Sequence, residues 1–302
     1  MDGTKHGALV VALGAALLAL SPGASAGITD YPVRLTVEAN GVATLLVAHN
    51  DGVSPITLHL DEALPGDDDT DAKTFVIEPR AAVSLGDVSH ADGETVSYTF
   101  YVGRAGAAPD TGRCYRLPYS SGRAFPISQA YGSQLTTHDN DQNRYAVDFR
   151  MPVGTPVVAS RGGVVVEATL QYRASGRDPS FFYQANHVTI VHDDGTVAEY
   201  AHLAAEAPLV RQGQHVDAGA MIGHSGNTGY TSGPHLHFVL TRPAVVDGKV
   251  QPVSIPFCFY TGTPAVAFTP AAGMTPIAQY RESGPAAMPL VRAATRSLDF
   301  RR

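Results

Sequence analysis

Tryptophan is absent from this 302-residue chain, cysteine occurs only twice, and charged residues make up 16%. A hydrophobic fraction of 44% beside that charge content fits a folded soluble protein and argues against an intrinsically disordered one. Basic residues are outnumbered: 21 Lys and Arg stand against 28 Asp and Glu, a formal net charge of -7. That balance argues against a nucleic-acid partner. The N-terminal apolar run, residues 8–20, falls short of the roughly 20 residues a membrane-spanning helix needs. No 3.6-residue periodicity of helical length is visible between Gly27 and Gly103. Glycine (30) and proline (21) are plentiful, which favours short strands and many turns.

The N-terminus does carry a pattern. Lys5 and His6 precede the apolar run, and Ser21-Pro22-Gly23-Ala24-Ser25-Ala26 follows it. A basic start, a short apolar centre and an Ala-x-Ala site predict a signal peptide over residues 1–26, cut after Ala26. No cysteine follows that site, so no lipoprotein signal is present. The expectation is an exported protein, periplasmic or extracellular at the cell wall, with no stable membrane insertion after cleavage. In an oxidising compartment Cys114 and Cys258 can pair. They flank the segment that carries the candidate chemistry, so a staple across its ends is expected ahead of metal ligation or two buried thiols. Closing so long a loop stabilises by about 4–5 kcal/mol on chain-entropy grounds.

The whole chain reads as all-β. Residues 27–104 show short alternating strands: Val33-Arg34-Leu35-Thr36-Val37, then a turn at Asn40-Gly41, then residues 43–48, 56–60, 74–77 and 97–102. This predicts a small β-sandwich accessory domain. Asp67, Asp68, Asp69 and Asp71 form an acidic stretch without the spacing of a calcium loop, and read as a solvated loop. Residues 105–112 are small and proline-bearing, as in a linker. A second β-rich domain is expected over 113–264, with strands near 146–149, 157–159, 163–168, 187–192, 197–203 and 235–240. Residues 265–302 are expected to be a disordered or loosely docked basic tail, with five arginines beyond residue 270 against Glu282 and Asp299.

Three elements of the second domain carry chemistry. In Gly233-Pro234-His235-Leu236-His237-Phe238, strand alternation sends the two imidazoles to one face and Leu236 and Phe238 to the other. In Asn143-Arg144-Tyr145-Ala146-Val147-Asp148-Phe149, a carboxylate sits inside an apolar strand, which is costly unless it is paired, hydrogen-bonded or metal-bound. Pairing with Arg144 or Arg150 is the plain alternative. His138 lies upstream on a stretch long enough to fold back towards Asp148. The third element, Glu199-Tyr200-Ala201-His202-Leu203, places a histidine at a strand end. Together they fit a zinc hydrolase. His138, Asp148 and His237 supply three ligands and leave one position open, with His202 and His235 flanking it as proton carriers.

These strings resemble the lysostaphin-type zinc peptidases, metallopeptidase family twenty-three. Gly233 to Phe238 is that family's closing motif, and Met151-Pro152-Val153-Gly154-Thr155-Pro156 resembles the turn after its metal aspartate. Gly219 to Gly223, Gly226-Asn227-Thr228-Gly229 and Tyr200-Ala201-His202-Leu203 match as well, so the likeness covers residues 113–260. It implies an antiparallel β-sheet peptidase domain, Zn2+ as cofactor, peptidoglycan as partner, and an endopeptidase acting on its peptide cross-links or stems. It also implies metal ligation by His138, Asp148 and His237 and catalysis by His202 and His235. One departure stands out. Many members carry the first histidine four residues before the aspartate, where this chain has Arg144, and His138 takes that role from ten residues upstream. The competing reading is a catalytically inactive homologue that activates or regulates another cell-wall hydrolase.

Overall fold

The computed structural model describes residues 31–64, 73–91, 94–109, 113–132, 136–262 and 264–280, and the backbone of residues 5–10. The remainder of the expected leader and the acidic stretch at 67–71 lie outside the described residues. Apart from one helical turn at Pro179–Phe181, every regular element among the described residues is a strand, in line with the all-β reading of the sequence.

The N-terminal part holds two antiparallel sheets. One orders Val33–Asn40, Ala43–Asn50 and Ala81–Asp87, and the other Lys5–Val10, Thr95–Val102, Ile56–Leu60 and Thr74–Ile77. The first hairpin turns at Gly41, whose φ of 65° lies in the left-handed region that glycine adopts without penalty. Leu35, Leu46 and Leu85 of one sheet share a buried cluster with Ile56, Leu58, Tyr98 and Phe100 of the other. Lys5–Val10 runs along the outer edge of Thr95–Val102.

The second part is built on an eight-stranded antiparallel sheet. Its order is His215–Val216, Gly163–Thr169, His187–Val191, Val197–Ala201, Leu236–Val246, Val147–Phe149 and Ile127–Gln129. Lys249–Ser254 pairs with the far half of Leu236–Val246. Alternation sends Val147, Phe149, Leu236, Phe238, Tyr200 and Val188 to one face, where they pack with Tyr115, Tyr119, Phe257 and Phe259. Phe149 and Phe238 are fully buried, and such burial contributes roughly 1.5–3 kcal/mol each.

The opposite face is divided. At one end Val191, Val197 and Val250 join the N-terminal cluster. The Val250 amide donates to Thr99 Oγ1 at 3.0 Å, and the Arg104 amide to Gly195 O at 3.2 Å. The other end carries the polar site described below. Cys114 and Cys258 form a disulfide, with Cα atoms 4.7 Å apart across a separation of 144 residues.

Two segments expected to be irregular make specific contacts. The stretch read as a linker from residue 105 packs at its start: Ala107 is buried and its carbonyl accepts from Arg242 Nη1 at 3.1 Å. The segment read as a loose tail from residue 265 is docked as far as residue 280. Val266–Phe268 pairs with Phe259–Thr261, Ala278 is fully buried, and the Tyr280 hydroxyl donates to Tyr260 O. Its polar backbone is satisfied by distant partners, such as Ile127 N to Met274 O and Ala278 N to Arg123 O. Such pairing leaves no periodic trace in sequence. Residues 281–302 lie outside the described residues.

Candidate metal centre

Strand register assembles the centre. Val147 and Phe149 point into the core, so Asp148 between them faces the other side. Asp148 is the cross-strand partner of His237, and His237 that of Ala201, so both site residues project beside the short Ala201 side chain. On its other flank Asp148 pairs in register with Gln129. His138 arrives from the irregular stretch 136–146 and is buried.

His138 Nε2 lies 3.4 Å from Asp148 Oδ2, and His237 Nδ1 lies 2.9 Å from Asp148 Oδ1. One donor atom from each of the three residues falls within 4.8 Å of the others. Asp148 is 3% exposed. Burial works to raise its pKa, yet hydrogen bonding to His138 and His237, with the nearby imidazole charges, outweighs burial and holds the carboxyl well below its ordinary range. Arg144, one arginine of the alternative reading, pairs instead with Asp141 at 3.0 Å.

The remaining two histidines stand beside this group. His202 sits just past the end of its strand with φ of 61°, a left-handed conformation that turns the chain. Its Nδ1 lies 2.7 Å from Thr228 O. The backbone carrying Thr228 can approach so closely because residue 226 is glycine: a Cβ there would meet Ala204 N and Leu203 C at 2.5 Å. His235 Nδ1 lies 2.8 Å from Gly233 O. A carbonyl only accepts, so both rings carry the proton on Nδ1 and keep an Nε2 lone pair. The two rings are 4.5 Å apart, and His235 Nε2 lies 3.9 Å from Asp148 Oδ2. Desolvation first, then His235 and His237, push the His202 pKa down to about 3, so it stays neutral.

The donor set fits zinc. Two imidazoles and a carboxylate are borderline-hard ligands, and donors 2.0–2.1 Å from a tetrahedral zinc stand about 3.3 Å apart. The 3.4 Å separation of His138 Nε2 and Asp148 Oδ2 meets that spacing. A second sign comes from His237, whose Nε2 lies 3.1 Å from Asn143 Oδ1. With zinc bound, a proton on Nε2 would leave the Nδ1 lone pair, 2.9 Å from Asp148 Oδ1, free for the metal.

Two neighbours, Gln129 outside any motif and Asn143 at the head of the Asp148 string, were given no role by the sequence. Gln129 Nε2 donates to Asp148 Oδ2 at 2.8 Å, while its Oε1 accepts from Thr137 N at 2.7 Å. Asn143 is the other, and both are amides whose roles exist only in the folded register. The other histidines are engaged elsewhere. His187 Nε2 meets Glu167 at 3.2 Å, His192 Nδ1 meets Gly162 O at 2.9 Å, and His224 Nδ1 meets Glu206 at 2.9 Å. Tyr145 packs edge-on against Tyr131, and half-exposed Tyr230 stacks on Phe182. A cavity of about 530 Å³ at the domain junction, lined in part by Arg104, Arg161 and His192, shares no residue with the centre.

Residues 142–252 match Peptidase family M23, a match that begins after His138. Peptidoglycan DD-endopeptidase ShyA of Vibrio cholerae serotype O1 is 44% identical over 93 residues, 31% of this chain and 19% of that protein. Lysostaphin of Staphylococcus simulans is 39% identical over 100 residues, 33% of this chain and 18% of that protein. The matched stretch therefore spans less than a fifth of either relative's length. The solved structure of the antimicrobial peptidase lysostaphin from Staphylococcus simulans aligns with 42% of this chain and 47% of that one, at 32% identity and a TM-score of 0.31.

Proposed function

From the match of residues 142–252 to Peptidase family M23, we propose that the protein is an exported zinc-dependent endopeptidase hydrolysing amide bonds in the peptide cross-links or stems of peptidoglycan. The observation that carries this reading is the convergence of His138, Asp148 and His237, distant in sequence, onto one point of the sheet face opposite the main core. Those three residues would hold the metal. Bound zinc supplies Lewis acidity towards the scissile carbonyl and lowers the pKa of water to about 7.

The protein's own groups do the rest. Thr228 O and Gly233 O fix His202 and His235 with Nδ1 protonated, so each offers an Nε2 lone pair beside the centre. One Nε2 takes the proton of the attacking water and passes it to the leaving amine. Once protonated, the same N–H donates to the developing oxyanion. The strand register sets Asp148, His237, Ala201 and His187 in one row across neighbouring strands, and an extended peptide would approach from that side of the sheet. The leader pattern over residues 1–26 supports export, and its removal after Ala26 would vacate the edge of Thr95–Val102 that Lys5–Val10 occupies. No helix among the described residues is long and apolar enough to cross a membrane. A catalytically inactive regulator is not favoured by any observation, since all five side chains are retained and gathered.

Two variants test the reading. His237→Ala should lose bound zinc and peptide release from purified sacculi together. His235→Ala should keep stoichiometric zinc and lower the rate about 10²–10⁴-fold, the usual range for losing a positioned acid–base group. Full activity in the His235 variant would refute the assignment. Identifying the new amino termini in the digest names the bond cut.

A further inference from the structure

The first metal donor here sits on a loop rather than on the strand that carries Asp148, and something must hold that loop in place. Residues 136–146 contain no strand or helix, and an unsupported excursion of this kind costs a ligand its fixed geometry. Ligating histidines almost always donate their second ring N–H to a partner that fixes the ring. His237 has such a partner in Asn143 Oδ1, at 3.1 Å. His138 does not: its Nδ1 is buried without a hydrogen-bond partner. Its placement therefore depends on the backbone beside it. The backbone N–H of Thr137, one residue away, donates to Gln129 Oε1 at 2.7 Å, and the Thr137 hydroxyl adds a longer contact at 3.2 Å. The other end of the same amide donates to Asp148 Oδ2 at 2.8 Å.

We propose that Gln129 and Asn143 are positioning residues for the metal centre: Gln129 ties the His138 loop to the second ligand, Asp148, and Asn143 ties the loop's far end to the third, His237. The proposal rests on the metallopeptidase reading of the same site. An amide suits the Gln129 position because the task needs one donor and one acceptor, which neither a carboxylate nor an apolar chain provides. At residue 143 the acceptor serves the metal centre, favouring the His237 proton on Nε2 and the Nδ1 lone pair towards the metal, while the side-chain N–H donates to Asn140 Oδ1 at 3.2 Å within the loop. The loop is anchored between these points as well. Asp141 O accepts from Ser254 N at 2.8 Å and from Ser254 Oγ at 2.6 Å, and the Asn143 amide donates to Asn140 Oδ1 at 2.9 Å. The clamp thus explains how a histidine ten residues upstream of Asp148 serves in place of one four residues upstream, where Arg144 stands.

The test is zinc affinity, measured by chelator competition on the full chain, with peptide release from sacculi in parallel. Gln129→Leu and Asn143→Leu should each weaken zinc binding about 10–100-fold, the usual effect of losing such a partner, and excess zinc should restore peptide release. Asn143→Asp should bind zinc as tightly as the natural protein or more tightly, because a carboxylate is a stronger acceptor for the His237 N–H. A merely structural role would make both residue-143 variants alike. Unchanged affinity in Gln129→Leu, or equal losses in Asn143→Asp and Asn143→Leu, would overturn the proposal. A natural protein that binds zinc tightly yet releases no peptide from any sacculi would instead overturn the endopeptidase reading and leave the clamp standing.

Discussion

His192 shows what burial does to an imidazole that serves no ligand. It is 3% exposed, its Nδ1 donates to Gly162 O, and its Nε2 has no hydrogen-bond partner. Burial, with a further push from the Arg161 charge, lowers its pKa to about 4. His187 goes the other way: burial would lower it, but Glu167 at 3.2 Å outweighs burial and lifts it to about 9. For His192 the unfolded chain, with a pKa near 6.5, takes up a proton before the folded one does. Its contribution is therefore intact above about pH 6.5 and is lost as pH falls towards 4, at about 1.4 kcal/mol per unit. Between pH 7 and pH 4.5 the loss should be about 2–3 kcal/mol. His192→Asn keeps an N–H for Gly162 O but cannot titrate, so its stability should fall less steeply over that interval. Urea denaturation of both proteins in chelator, which removes any difference in zinc release, checks this; parallel pH profiles would refute it. Legibility at this scale follows chemistry. His235, His237, Asp148 and His202 stand out because histidine, or a carboxylate in an apolar strand, is informative by type. Gln129 and Asn143 do not, because an amide means nothing until its two partners are known.

Strands were legible where alternation is strict. Val147, Phe149, Leu236, Phe238 and Leu240 alternate into one core, so the sequence shows both that these stretches are strands and which face is polar. The segment ending at Tyr280 was read as loose because its order comes from scattered long-range contacts. The Tyr280 hydroxyl accepts from Leu117 N at 2.6 Å and donates to Tyr260 O at 2.7 Å, while Arg116 lies over its ring at 4.2 Å. Leu117 is fully buried, so removing that hydroxyl leaves its amide without an acceptor. Tyr280→Phe should destabilise the protein by about 1–3 kcal/mol, the cost of an unsatisfied buried donor, with the ring packing kept. Thermal melting measures this. A loose strap would predict no change, because neither bond would then persist in solution.

At the scale of the whole molecule, the sequence carries no sign of how its two parts join. Val191, Val197 and Val250 look like ordinary strand residues, and only the fold shows that they complete the N-terminal core. They lie on the same sheet face as His237, so the N-terminal part covers one end of that face and the metal centre stands at the other. Val250 is fully buried in this junction. A charge placed there has no partner and is strongly disfavoured, by several kcal/mol. Val250→Asp should therefore unseat the N-terminal part from the sheet. The single cooperative transition expected of two parts sharing one core should split into two in calorimetry. Zinc stoichiometry should survive in the variant, because Asp148, His237 and the Gln129 clamp belong to strands held by the other core and by the Cys114–Cys258 bridge. Loss of zinc along with the split would mean that the N-terminal part supports the metal end directly; an unchanged single transition would mean that the shared valine cluster does not couple the two.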